Sequence, residues 1–173
     1  GVTHFLTQRF DRVGNERIHT QTLAAMAPGA DDYDDLFEVI RRLRLPYKDS
    51  EQQFLRLVFN VLARNVDDHS KNFSFCMDNT GTWRLSPAYD LTFAVDTSAP
   101  AYVNRHSLFV NGKDDKITIA DLLEVAARND IRNPKELIER VRAVIADFPS
   151  IARENEIPDE IIQVLRKEIG NIY

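Results

Sequence analysis

Apolar and polar positions follow a helical period in the first half of the chain. Residues 31–45 carry apolar side chains every three to four positions, with acids at the beginning of the segment and arginines at its end. This spacing and this order of charges predict a helix, because the helix dipole favours anions at the amino end and cations at the carboxyl end. We expect the helix to stop at Pro46, which cannot continue it.

A second helix is predicted directly afterwards, with Ser50 as its amino-terminal cap. Apolar side chains cover most of its circumference over 54–62, a pattern typical of a helix at the centre of a core. One polar residue, Asn60, interrupts the densest apolar run, 57–63.

Strand patterns are short. Segments 4–9 and 17–21 favour strands and flank the turn-forming pair Gly14 and Asn15, which predicts a hairpin. A second hairpin is predicted within 73–85, around a polar turn.

The fold class that these patterns predict is mainly α within an α+β chain, and the 173 residues fit one domain, 1–173. Its carboxyl-terminal third is predicted to be helical from capping residues and period. The expected parts are a strand and hairpin at 1–21, helices at 31–64, a polar loop and hairpin at 65–91, and a helical bundle at 119–173 with helices at 119–129, 133–148 and 158–169.

Composition narrows the function classes. The chain is 43% apolar and 28% charged, as expected of a globular protein, and it has no apolar run of about 18 residues that could span a membrane. A net charge of −5 argues against direct binding of DNA. The single cysteine, Cys76, excludes an internal disulfide and fits a reducing cytoplasm.

The polar segment 65–72 follows the most apolar helix directly. Asp67 and Asn72 have four residues between them, the spacing with which a phosphotransferase loop places a base and a metal ligand. Asp90 comes after the second predicted hairpin, which would bring it back beside this loop. Asp and Asn oxygens are suitable ligands for Mg²⁺, so the three residues predict a phosphoryl-transfer site.

Other interpretations of the same residues remain open. Asp, Asn and His are more often turn formers than catalysts in loops. Imidazole and carboxylate groups also suit transition metals, so Asp67, His69, Asp90 and His106 could instead serve a metal-dependent hydrolase. Segment 9–12 could be a salt-bridged strand end.

Three motifs together resemble the carboxyl-terminal portion of the HipA-like serine/threonine kinases of bacterial toxin–antitoxin modules. They are Arg-Phe-Asp-Arg at 9–12, Asp-Asp-His-Ser-Lys-Asn-Phe-Ser at 67–74 and Pro-Ala-Tyr-Asp at 87–90. The resemblance extends along essentially the whole chain and is strongest over 8–91. It implies a kinase-like helical lobe with short hairpins at the hinge and after the catalytic loop.

The resemblance also implies roles for single residues. It makes Asp67 the catalytic carboxylate and makes Asn72 and Asp90 the ligands of Mg²⁺. It places His69 and Lys71 near the phosphates of ATP.

Two further residues would bind the nucleotide at the hinge. The resemblance implies that Phe10 contacts the adenine and that Gln8 lies beside it, at a position where the family often has Glu. The chain begins at this expected hinge and contains no Gly-x-Gly-x-x-Gly cluster. We therefore expect it to be a carboxyl-terminal lobe that is nearly inactive without an amino-terminal lobe.

The partners implied by the resemblance are a helix-turn-helix antitoxin and a protein substrate, for which the translation machinery, including an aminoacyl-tRNA synthetase, is one candidate. DNA would be reached only through the antitoxin, and no membrane is involved. A different class of function is a non-catalytic helical module that binds a partner, for instance through the acidic helix start at 31–35.

Overall fold

The computed structural model describes residues 6–96, 98, 100, 103–170 and 172. Its strands are β1 (Arg12–Val13), β2 (Glu16–Arg17), β3 (His19–Thr22), β4 (Ser74–Met77) and β5 (Trp83–Leu85). Its helices are α1 (Leu23–Met26), α2 (Tyr33–Arg42), α3 (Tyr47–Leu62), α4 (Ile119–Arg128), α5 (Pro134–Ala146), α6 (Phe148–Glu154) and α7 (Asp159–Leu165). The prediction of a mainly helical α+β chain is confirmed.

Helix α2 begins with a reciprocal cap. The Asp32 carboxylate accepts a hydrogen bond from the backbone N–H of Asp34, and the Asp35 carboxylate accepts one from the N–H of Asp32. Arg41 and Arg42 occupy its last turn, as the charge pattern predicted. The helix ends at Arg42, slightly before the predicted end.

Helix α3 is the central helix, as its apolar pattern predicted, and it packs against α2 and α5. The predicted cap at Ser50 is wrong: the helix begins at Tyr47, and Pro46 takes the cap position without a side-chain hydrogen bond. The ring of Pro46 fixes its φ at −65°, and its ψ of 154° is extended, as is usual for a cap residue. The helix therefore begins without a side-chain cap. Ser50 lies inside the first turns.

The first hairpin is shorter than predicted and lies further along the chain. Strands β1 and β2 pair around Gly14 and Asn15, whereas the described part of the predicted strand 4–9 is not a strand, and residues 4 and 5 lie outside the described residues. The predicted strand 17–21 is divided between β2 and β3. Gly14 has a φ of 57°, which a tight turn needs and glycine adopts at low cost.

The second hairpin is confirmed as the antiparallel pair β4 and β5. Strand β3 pairs with the other edge of β4, giving a three-stranded sheet in the order β3-β4-β5. This pairing was not predicted, because the His-Thr-Gln-Thr sequence of β3 shows no apolar alternation. The pairing joins β3, which follows the first hairpin, to β4, which follows the polar loop.

The carboxyl-terminal part is helical as predicted, except that the segment predicted as one helix over 133–148 stops at Ala146 and α6 follows from Phe148. Buried apolar side chains of α2, α3, β4, α4 and α5 form one core. Among the described residues no helix has both the length and the apolar character needed to cross a membrane.

Candidate functional site

The polar loop leaves the carboxyl end of α3 through a left-handed residue, Arg64, with a φ of 56°. The Asn72 side-chain amide donates to the backbone carbonyl of Asp67 at 2.9 Å and closes the loop across its width. Residues 70–72 form a short 3-10 helix inside it. The two residues predicted to be the base and a metal ligand are therefore held together by a direct hydrogen bond.

The loop presents Asp67 to solvent. Its side chain is 60% exposed, and Nε2 of His69 lies 3.9 Å from its Oδ1 atom. A carboxylate in this position is accessible to an incoming hydroxyl group.

The next residue, Asp68, has the opposite environment and is completely buried. Its carboxylate accepts hydrogen bonds from the Tyr33 hydroxyl at 2.7 Å, from Nδ1 of His106 at 2.8 Å and from the backbone N–H of Ser107 at 2.8 Å. Burial raises the pKa of Tyr33 well above its ordinary value, and the charge of Asp68 raises it further. Asp68 thus anchors the loop to α2 and to the segment around His106.

The Asp90 segment is held from two sides. Asp90 has a φ of 54°, uncommon for a residue with a side chain, and its carbonyl oxygen lies 3.5 Å from the Asn65 amide nitrogen. The neighbouring Tyr89 hydroxyl donates to the carbonyl of Lys71 at 2.7 Å. Because its one proton is used there, the Tyr89 oxygen accepts the short 2.5 Å hydrogen bond from the Ser74 hydroxyl.

Burial also affects the groups around this segment. The pKa of the Tyr89 phenol is raised by burial above all, while the hydrogen bond from Ser74 lowers it. Arg56, on α3, donates to the carbonyl of Ser86 at 2.5 Å, and burial lowers its pKa to about 10. Because this pKa lies well above 7, the guanidinium stays charged at neutral pH. Its hydrogen bond to Ser86 holds the beginning of the Asp90 segment against α3.

A groove of about 530 Å³ opens between the Asp90 segment and the segment before β1. Gln8, Phe10 and Asp90 line it, together with Ser74 and Tyr89. The rings of Phe10 and Tyr89 lie with centroids 5.5 Å apart at an interplanar angle of 34°. The predicted hinge residues and one predicted metal ligand are therefore brought to one groove.

The remaining predicted residues lie on the adjoining loop rather than in the groove lining. Lys71 contributes its backbone carbonyl to the contact with Tyr89, and its side chain is exposed. Asn72 follows it, and its amide nitrogen is engaged by Asp67, which leaves the amide oxygen for another partner. An amide oxygen and an exposed carboxylate such as that of Asp90 are both ligand types that suit Mg²⁺.

The alternative metal set of Asp67, His69, Asp90 and His106 is not assembled. His106 is buried against Asp68, and the described part of the chain contains no group of three or more His, Cys, Asp or Glu residues placed to hold a metal ion. The strand-end interpretation of segment 9–12 has a basis as well, because Arg9 binds Asp11 through two hydrogen bonds of 2.7 and 2.6 Å just before β1.

The sequence analysis did not predict the residues that fix the positions of the loop and of the Asp90 segment. It names Asp68 only as part of the motif at 67–74, and it assigns no supporting role to Tyr33, Asn65 or Tyr89. One signal was available: Asn60, a polar residue within the apolar run of the central helix, is 1% exposed and donates to the Tyr33 hydroxyl at 2.9 Å. A buried amide in such a helix requires polar partners.

Comparison with solved structures identifies the class of fold. The chain matches HipA of Shewanella oneidensis MR-1, whose structure was determined in a toxin–antitoxin complex with HipB and operator DNA, with a TM-score of 0.62 and 20% identity over 85% of this chain and 40% of that chain. Residues 1–151 match the family model of the HipA-like C-terminal domain. The chain belongs to this family.

Two curated relatives from Sinorhizobium fredii (strain NBRC 101917 / NGR234) bear the names "Putative kinase Y4dM" and "Putative kinase Y4mE". The first is 30% identical over 149 residues, which cover 79% of this chain and 36% of the relative. The second is 35% identical over 111 residues, covering 55% of this chain and 26% of the relative. The chain thus spans about a third of these relatives or less.

Proposed function

We propose that this chain supplies the catalytic loop and the metal ligands of an ATP- and Mg²⁺-dependent protein serine/threonine kinase of the HipA type. The observation that carries the proposal is the hydrogen bond from Tyr89 to Lys71. It holds the residue before Asp90 against the residue before Asn72, so that two suitable Mg²⁺ ligands lie on touching segments. The family membership and the names of the relatives support the same activity.

Each residue has a distinct task in this proposal. Asp67, exposed at the loop, orients the serine or threonine hydroxyl of the substrate and accepts its proton. Asn72 and Asp90 would hold Mg²⁺, which neutralises the charge of the phosphates during transfer. His69 and Lys71 lie on the same loop and would face the phosphates.

The groove beside the loop would accept the nucleotide base. Phe10 offers an aromatic face there, and Gln8 offers an amide that can both donate and accept hydrogen bonds. A base between an aromatic ring and a hydrogen-bonding amide is held in one orientation, which fixes where the phosphates lie.

We further propose that the chain by itself is nearly inactive. Phosphoryl transfer depends on positioning and on charge stabilisation around the phosphates. The chain spans about a third of its kinase-named relatives, and in the proposal the rest of such a protein covers the phosphates. Robust kinase turnover by the isolated chain would contradict this part.

The first experiment is a calorimetric titration with Mg²⁺-ATP of three proteins: the unaltered chain, Asp90→Asn and Asp67→Asn. The two variants are matched, since each replaces one exposed carboxylate by an amide of the same size. The proposal expects Asp90→Asn to abolish binding and Asp67→Asn to leave it nearly unchanged. Equal losses in both variants would contradict the assignment of separate roles.

A second titration and an assay of phosphate transfer use the gene product that contains this chain. There we expect Asp67→Asn to lower kcat by at least about 100-fold, with little change in the affinity for Mg²⁺-ATP. An unaltered protein that binds Mg²⁺-ATP but phosphorylates no protein serine or threonine, including its own, would count against the kinase assignment.

We also propose that a helix-turn-helix antitoxin binds the gene product and connects it to DNA. The related HipA was solved together with HipB and operator DNA, and the net charge of −5 disfavours direct DNA contact by this chain. The translation machinery, for example an aminoacyl-tRNA synthetase, remains our candidate for the substrate.

The acidic start of α2 is a poor candidate for the partner surface. Asp32 and Asp35 cap the helix, and Asp34 accepts hydrogen bonds from Arg128 at 2.9 and 2.7 Å. These carboxylates already have partners within the chain, so a basic partner would have to displace them. Loss of antitoxin binding after Asp31→Asn, next to this cluster, would restore the hypothesis.

A further inference from the structure

We propose that a buried row of hydrogen-bonded polar side chains, called the row below, fixes the position of the catalytic loop relative to the Asp90 segment. Its members, in order of contact, are Asn65, Asn60, Tyr33, Asp68 and His106. The inference rests on the proposed function, because it concerns the relative placement of Asp67 and Asp90. None of the five is proposed to touch substrate or nucleotide, so they act as positioning residues.

The contacts form an unbroken sequence. The Asn65 amide nitrogen donates to the Asn60 side-chain oxygen at 3.1 Å, and the Asn60 amide nitrogen donates to the Tyr33 hydroxyl at 2.9 Å. The Tyr33 hydroxyl donates to the Asp68 carboxylate at 2.7 Å, which also accepts from His106 at 2.8 Å. All five residues are buried.

Every hydrogen bond in the row is directed toward Asp68. Asn60 and Tyr33 each accept one hydrogen bond and donate the next one toward the Asp68 carboxylate. In such an arrangement neighbouring hydrogen bonds polarise and strengthen one another. The orientation of the two amides is defined as well, since the nitrogen of Asn65 faces two acceptors, the side-chain oxygen of Asn60 and the carbonyl of Asp90.

The row connects the two halves of the site. At one end Asn65 reaches the carbonyl of Asp90, whose backbone has a φ of 54°. Its fourth member, Asp68, is the direct neighbour of Asp67 in the loop. A shift of either half therefore stretches hydrogen bonds that lead to the other half.

Placement explains this row better than stability does. Asn60 lies on the central helix among the buried apolar residues Leu57, Val58 and Val61. Polar groups in a core gain little net stability, because they give up hydrogen bonds to water, and a well-packed apolar set would do as well. What an apolar set cannot do is fix direction, which hydrogen bonds provide.

The test is Tyr33→Phe, with Tyr47→Phe as the matched control. Both remove one phenol oxygen and leave the ring. Tyr33→Phe interrupts the row at its middle but retains the edge contact of the ring with Phe73, whose centroid is 5.6 Å away. Tyr47 is outside the row, and its hydroxyl accepts a hydrogen bond from the backbone N–H of Arg132 at 2.8 Å.

Amide hydrogen exchange of the chain is the first readout, and it needs no enzymatic activity. We expect Tyr33→Phe to speed exchange at least about threefold both in 65–72 and at Ala94, whose backbone N–H follows the Asp90 segment and donates to the carbonyl of Arg64 at 3.2 Å. Tyr47→Phe should leave both unchanged. Faster exchange confined to α2 and the loop, with Ala94 unchanged, would overturn the inference. Equal effects of the two variants would overturn it too.

Kinetics of the gene product that contains the chain are the second readout. We expect Tyr33→Phe to lower kcat by about 10- to 100-fold and to raise KM for ATP several-fold, because it disturbs the placement of both Asp67 and the proposed metal ligand Asp90. The control variant is expected to keep kcat even where its melting temperature falls by the same amount. An unchanged kcat in Tyr33→Phe would refute the inference.

Failure of the proposed function gives a different result. An unaltered gene product without any phosphate transfer contradicts the kinase proposal, while the exchange experiment still decides whether the two segments are coupled. Should Tyr33→Phe fail to fold, Asn65→Ser interrupts the row at its other end and carries the same expectations for exchange and for kcat. Coupling also predicts that Tyr33→Phe and Asn65→Ser together cost little more than either alone.

Discussion

The Tyr89 hydroxyl and the Lys71 carbonyl are joined by a 2.7 Å hydrogen bond across 18 residues of sequence. The bond connects the loop after α3 to the segment after β5, and each partner directly precedes a proposed Mg²⁺ ligand. The β4–β5 hairpin brings these segments near each other, and the hydrogen bond fixes how they meet. The Tyr89 ring also lies against Phe10 in the groove.

The variant Tyr89→Phe separates the hydroxyl from the ring. It leaves the ring contact with Phe10 but removes the partner of the Lys71 carbonyl and of the Ser74 hydroxyl. We expect a loss of roughly 0.5–1.5 kcal/mol in the free energy of unfolding and a several-fold weaker affinity for Mg²⁺-ATP. Urea unfolding of the chain and calorimetry on the gene product would measure the two effects.

The control for this experiment is Tyr47→Phe, which removes a hydroxyl bound to the backbone of Arg132, outside the groove and the loop. It should lower stability without changing nucleotide affinity. If Tyr89→Phe retains full affinity despite the lower stability, the hydrogen bond to Lys71 does not place the metal ligands.

The elements that the sequence predicted correctly are those with local signals, whereas contacts between distant segments were not predicted. Helix α2 was predicted from its apolar period and its charge order, both of which are local properties. The hairpin of β4 and β5 was equally local. A strand at 17–21 was predicted, but the pairing of β3 with β4, more than 50 residues away, was missed because β3 is polar and gives no local signal for a partner.

The candidate site shows the same division. The spacing of Asp67 and Asn72 and the three family motifs indicated which side chains to examine. The burial of Asp68 could not be predicted, because nothing in the sequence distinguishes it from its exposed neighbour Asp67. Tyr33 and His106, which are distant in sequence, bind the buried Asp68 carboxylate, whereas the Asp67 carboxylate has no such partners among the described residues and stays in solvent.

The central position of α3 leads to a prediction about stability. Leu57 is 0% exposed at the centre of the core, whereas Leu6, before β1, is 94% exposed. Leu57→Ala should lower the free energy of unfolding by roughly 2–5 kcal/mol, since it removes buried methyl groups and leaves a cavity. The same replacement at Leu6 should change it by less than about 0.5 kcal/mol.

Equilibrium unfolding in urea at neutral pH would compare the two variants. A similar small loss in both would mean that α3 is not the central helix of the core.

A third prediction concerns acid. Burial opposes ionisation of Asp121, but its hydrogen bonds with Lys113, Thr118 and Asn111 outweigh this and hold the pKa of the carboxyl below its ordinary value of 3.8. A carboxyl whose pKa is lower in the folded state stabilises the fold above its unfolded pKa, and this contribution is lost as the pH falls through the folded pKa. We expect Asp121→Asn to be less stable than the unaltered chain at pH 6, and the difference to shrink below about pH 4.

Thermal unfolding between pH 2 and pH 7 would follow this difference. Asp159→Asn is the control, because its carboxylate is 69% exposed and pairs with Arg153 at the surface, where an ion pair adds at most about 1 kcal/mol. A destabilisation of Asp121→Asn that stays constant down to pH 2 would show that the ionised carboxylate is not the stabilising form.

The groove allows recognition of the base to be separated from recognition of the phosphates. Phe10 lies in the groove lining, and stacking of a base on an aromatic ring contributes roughly 1–3 kcal/mol. Phe10→Ala in the gene product should therefore weaken binding of Mg²⁺-ATP by about tenfold or more. Binding of Mg²⁺-tripolyphosphate, which lacks a base, should remain nearly unchanged, because Asn72 and Asp90 are untouched. Val13→Ala, in β1 shortly after Phe10 and 65% exposed, should affect neither ligand. Equal weakening of both ligands by Phe10→Ala would instead show that the ring supports the Asp90 segment through Tyr89 and does not contact the base.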